Sequence, residues 1–166
     1  MSAWGHVENK FGRELDRVKQ LIGAYNYSND NRARETDELL RKHLIRSIHG
    51  LKESLKEIME AAYREKDERS ESVKIILDNL DVAIAEIESI NFWLFPDSGE
   101  VLEKLVSADL GLLSKLENLK TFSSALSAAV ATTKSEEITK NIGELSTALK
   151  EFRLLLIERS DAIKRR

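Results

Sequence analysis

The side chains best suited to chemistry in this chain are three histidines, His6, His43 and His49, and a large stock of carboxylates. A di-metal centre in a helical bundle draws its ligands from Glu-x-x-His, because residues three apart on a helix project inward together. Here Ala3, Leu40 and Arg46 stand three places before the histidines, so that motif is absent. His-Glu-x-x-His is missing too, and the one-turn pair His49 and Glu53 reads as a surface contact. The absence of cysteine removes thiolate metal sites, cysteine nucleophiles and disulfides together. Serine is frequent but never stands in Gly-x-Ser-x-Gly, and no glycine-rich loop precedes a helix to hold phosphate. Carboxylate pairs such as Glu57/Glu60 and Glu86/Glu88 lie among solvent-type residues, where little would raise one pKa for acid–base work. The sequence therefore predicts no enzyme, no catalytic residue, no metal and no cofactor.

Cations offer a second chemistry. Lys10, Arg13 and Arg17 recur along the first helical segment, Arg41, Lys42 and Arg46 crowd the second, and Arg159, Lys164, Arg165 and Arg166 end the chain. Lys10, Arg13, Arg17, Arg41, Lys42 and Arg46 are the candidate phosphate contacts, since phosphate binding needs positioned cations. Acids interrupt them at Asp16, Glu35, Asp37 and Glu38, and no aromatic is interleaved for base stacking. The net charge of −3 hides a gradient. Residues 1–56 hold eleven Lys/Arg and eight Asp/Glu of the chain's 26 and 29, leaving fifteen and twenty-one, net −6, for the rest. Nucleic acid is thus the less favoured partner.

Apolar contacts offer a third. Asn91-Phe92-Trp93-Leu94-Phe95-Pro96 sets four large apolar groups in a row, which no single helix stripe can bury. Phe92, Trp93, Leu94 and Phe95 are read first as a plug closing the end of a bundle, and otherwise as anchors for a protein partner. Beyond the helical seams, Ile45, Ile75, Val82, Leu110, Leu113, Leu154, Leu155 and Ile157 widen or double the apolar stripe. Cover for these must come from another helix of the chain or from a second copy, and Leu155 joins the partner-binding candidates.

The elements that position these groups follow from spacing. Seven glycines and one proline in 166 residues leave little turn chemistry, so a few long elements are expected. Apolar residues stepping by three and four predict an all-α antiparallel bundle of four or five amphipathic helices, at about 3–25, 31–66, 70–94, 98–131 and 134–164. One domain is the expectation at this length. Asp97 with Glu100, and Thr133 with Glu136, predict N-caps for the last two helices. Between the second and third helices the seam stays in frame without Gly or Pro. A continuous rod of roughly 60 residues would reach about 90 Å and need a coiled-coil partner, so a break near Glu68 to Ser70 is preferred.

No apolar leader opens the sequence, and its longest uncharged run, Thr121 to Thr133, falls short of a membrane span. A cytoplasmic protein without a membrane partner is expected. A single glutamine, Gln20, amid abundant Lys, Glu and Arg gives a thermophile-like composition. The functional expectation is a non-catalytic protein–protein assembly or adaptor module that self-associates. The second reading is a small helical subunit of a nucleic-acid-associated complex.

Overall fold

Asn29 shows how a helix start is specified. Its backbone is extended (φ −153°, ψ 170°) and its side-chain oxygen accepts the Arg32 amide at 3.0 Å, capping a 35-residue helix. The computed structural model describes residues 1–89 and 98–163. Within them the order is α1 (Ala3–Lys10), α2 (Gly12–Leu21), α3 (Asp30–Arg64), α4 (Arg69–Glu88), α5 (Gly99–Ala131) and α6 (Ser135–Ile163). The architecture is all-α, as the spacing predicts, with six helices among the described residues rather than four or five.

The sixth arises because the segment expected as one helix over 3–25 is two. Phe11 leaves helical dihedrals (φ −111°, ψ 23°), and the poor helix former Gly12 follows. The Phe11 and Leu15 amides still reach the carbonyls of Val7 and Phe11 at 2.9 and 2.8 Å, so the chain bends without unwinding. α2 then stops at Leu21. Tyr25 and Tyr27 follow in irregular chain.

α3 and α4 are separated by a break, as expected, but it lies at 65–68, just ahead of the expected Glu68 to Ser70, and a Schellman turn makes it. Lys66 adopts a left-handed φ of 55°. Its amide bonds to the Tyr63 carbonyl at 3.0 Å, and that of Asp67 to Ala62 at 2.9 Å. α5 ends identically, with Thr133 at φ 54° and amide bonds from Thr133 to Val130 and from Lys134 to Ala129. Thr133 is therefore not the N-cap of the last helix; it stops the helix before. The start of α5 is also corrected: Ser98 caps it, its hydroxyl accepting the Val101 amide at 3.2 Å, and the expected cap Asp97 lies outside the described residues. Arg69 joins the two turns, donating to the Ser135 carbonyl at 2.8 Å while its other nitrogens hold Asp67.

The four long helices form two hairpins, α3–α4 and α5–α6, laid side by side so that α3 meets α5 and α4 meets α6. α1 packs on α5, and one continuous apolar cluster draws on all six helices. α5 and α6 make the most extensive pairing, and Gly111 leaves room in it for Leu155. A Cβ on Gly111 would stand 3.0 Å from Leu155 Cδ1.

Candidate assembly surface and a buried charge network

The surplus apolar residues divide into two groups. Leu113 is buried, and Ile45, Leu110 and Leu155 are half-buried against the core, so the bundle itself accounts for them. Ile75, Val82, Leu154 and Ile157 remain exposed, at 59%, 43%, 53% and 54%. The two helices that carry them, α4 and α6, are neighbours. A groove of about 420 Å³ runs between them, lined by Ile75, Asn79, Lys150, Arg153, Leu154 and Ile157. Arg153 bridges its floor, donating to Glu86 at 2.7 Å and to Asn79 at 3.2 Å. Residues 75, 79, 82 and 86 recur at i, i+4, i+7 and i+11, so Val82 lies on the stripe that meets Arg153.

On the opposite side of α6 the pattern inverts. Arg159, read from the sequence as one of several terminal cations, is a core residue at 2% exposure. Its Nε donates to Asp109 Oδ1 of α5 at 2.6 Å, and its Nη2 lies 2.7 Å from Asp37 Oδ1 of α3. That second contact is an ion pair without the alignment of a hydrogen bond. Tyr25 and Tyr27 both donate their hydroxyls to Asp109 Oδ2, at 2.9 and 2.6 Å. Arg41, half-buried, donates to Asp37 Oδ2 at 2.9 Å. Burial pushes the Asp109 carboxyl up, against the pull of Arg159 and the two hydroxyls. Burial beside that carboxylate also drives both tyrosine hydroxyls well above their ordinary value.

An aromatic cluster walls the network in. Trp4 packs on Tyr25 and Tyr27 with ring centres 6.4 and 6.2 Å away, and the tyrosines meet edge to face at 5.3 Å. Thr36, fully buried, accepts the Asn26 amide at 2.8 Å and fixes the turn that delivers both tyrosines. Two carboxylates, a guanidinium and two phenols resemble the parts of a catalytic site. Arg159, Asp109, Asp37, Tyr25 and Tyr27 are all at 3% exposure or less, however, and such a network reads as positioning for four chain segments.

The candidate phosphate contacts do not act as one surface. Lys10 is paired with Glu103 at 2.7 Å, Arg41 with Asp37, and Lys42 with Glu38 at 2.8 Å. Arg13, Arg17 and Arg46 are exposed, and the bend at Phe11 separates the first two from Lys10. Phe92, Trp93, Leu94 and Phe95 lie outside the described residues. Leu155, the remaining partner candidate, rests over Gly111 of its own chain. Among the described residues no cluster of three or more His, Asp or Glu side chains could hold a metal ion, and no helix is long and apolar enough to cross a membrane. Comparison with protein-family models, curated proteins and solved structures finds no match to this chain.

Proposed function

We propose that this chain is a non-catalytic assembly module that self-associates through the face formed by α4 and α6. The supporting observation is the exposure of Ile75, Val82, Leu154 and Ile157 on one pair of helices, while the other surplus apolar residues are absorbed by the core. Large apolar side chains gathered on one face are the usual mark of a surface that another protein covers. The 20 residues of α4 span about 30 Å, and two helices abreast about 20 Å. That face is on the scale of the roughly 800 Å² per partner that a specific complex buries. The nucleic-acid reading has less behind it, because Lys10, Arg41 and Lys42 already neutralise carboxylates of the chain.

Light scattering over a dilution series tests the proposal. The expected result is a species heavier than the 18.9 kDa chain that dissociates on dilution, and dissociates fully when Ile157→Glu is introduced without lowering the melting temperature. A mass of 18.9 kDa at every concentration overturns it.

A further inference from the structure

We infer that the partner on this face is a second copy whose α6 runs antiparallel to the first, about a twofold axis that passes between the two α6 helices, level with the midpoint of Leu154 and Ile157; this rests on the self-association proposed above. The outward side of α6 carries Lys150, Leu154, Ile157 and Asp161. Their spacing at i, i+4, i+7 and i+11 places them along one edge of the helix. An antiparallel twofold at that point sets Leu154 against the partner's Ile157 and Lys150 against the partner's Asp161. Apolar meets apolar at the centre, and cation meets anion in the next rank on either side. The sequence of this edge is its own complement when reversed.

A parallel pairing fails the same comparison, because it would set Lys150 on lysine and Asp161 on aspartate. Like charges so juxtaposed oppose association. Lys150 and Asp161 are both exposed, and neither has an ion-pair partner within 4.0 Å among the described residues, so both charges are free to meet a partner. Isologous contact of this kind closes on itself, giving a dimer and not a filament.

Charge exchange on the full chain tests the register. Lys150→Glu and Asp161→Lys, made separately, should each raise the dimer dissociation constant on the order of tenfold or more at low salt, since each introduces two like-charge contacts. The double variant should return it to near the unmodified value, because exchanged charges still meet opposite charges. Both sites are at the surface, so thermal melts of the three variants as dilute protein should coincide with that of the unmodified chain. Singles that weaken with no recovery in the double, or a dimer indifferent to all three, would overturn the antiparallel register while leaving self-association standing. A monomer at every concentration would remove both.

Discussion

Within two turns, α6 presents opposite exceptions to the rule that apolar side chains go inside and charges outside. Arg159 points into the core; Leu154 and Ile157 point out of it. The inward charge is matched within the chain, since Asp109, Asp37 and the Tyr27 hydroxyl surround it. Among the described residues the outward leucine and isoleucine have no such cover. A buried ion compensated by its neighbours tells about the fold, whereas exposed apolar surface without cover tells about a partner. The first exception should be expensive to disturb and silent in assembly; the second should be the reverse.

The sharpest way to break that contrast is Arg159→Met. It leaves the buried Asp109 carboxylate without a cation and Asp37 with Arg41 alone, and losing one member of a buried pair costs about 3–5 kcal/mol, read as a shifted urea midpoint at unchanged slope. Adding Asp109→Leu and Asp37→Leu removes the stranded charges and should recover most of that loss. Recovery would identify desolvation of unpaired charge, not the shape of arginine, as the dominant effect.

Tyr27→Phe is expected to cost less, about 1–3 kcal/mol, because Asp109 Oδ2 keeps Tyr25 as a donor. Its clearer signature is the alkaline limb. A hydroxyl whose folded pKa lies above its unfolded value binds its proton more tightly when folded. Its stabilising contribution is complete below about pH 10, the unfolded value, and is lost as the pH rises through the folded value. Stability should therefore fall steeply above about pH 10, and less steeply in Tyr27→Phe. Equal alkaline slopes in the two proteins would detach the network from the pH response.

On the outer face, Leu154→Glu should change the stability of the dilute monomer by no more than about 0.5 kcal/mol, as exposed sites do. Its effect should appear in the assembly equilibrium. Equal losses in both measurements would mean that this face belongs to the core after all.

Periodicity made most of this architecture legible. The seams through Leu40, Leu44 and Ile48 on α3 and through Ile142, Leu145 and Leu149 on α6 are buried as their spacing requires. The network was not legible, because spacing assigns a face by hydrophobicity and Asp37, Asp109 and Arg159 vote for solvent. Position held a usable signal. Asp37 falls between Ala33, Leu40 and Leu44, and Asp109 between Leu105 and Leu112, so each stands on an otherwise apolar stripe. Tyr27 was hidden by its neighbours, since Asn26 and the residues after it read as turn while the ring turns inward. Division of the surplus apolar set into covered and uncovered members also needed coordinates, as it depends on which helices become neighbours.

A small effect of opposite sign is expected at the far end of the bundle from the network and concerns backbone alone. Thr133 holds a φ of 54° in the turn that ends α5, where a β-branched side chain is crowded against its own carbonyl. Glycine there relieves about 1–2 kcal/mol of left-handed strain and costs about 0.4–1 kcal/mol by loosening the unfolded chain. The amide bonds from Thr133 to Val130 and from Lys134 to Ala129 do not involve the side chain and should persist. The bond from the Thr133 hydroxyl to the Thr132 carbonyl is exposed and contributes little. Thr133→Gly should therefore stabilise by about 0.5–1 kcal/mol, a rise of a few degrees in Tm for a chain of this length. Lys66→Gly, at the matching turn of the other hairpin, should gain less, because lysine is not β-branched. A lower Tm in both would show that the two turns are held by their side chains, and a gain at Thr133 that exceeds the gain at Lys66 would assign the effect to strain.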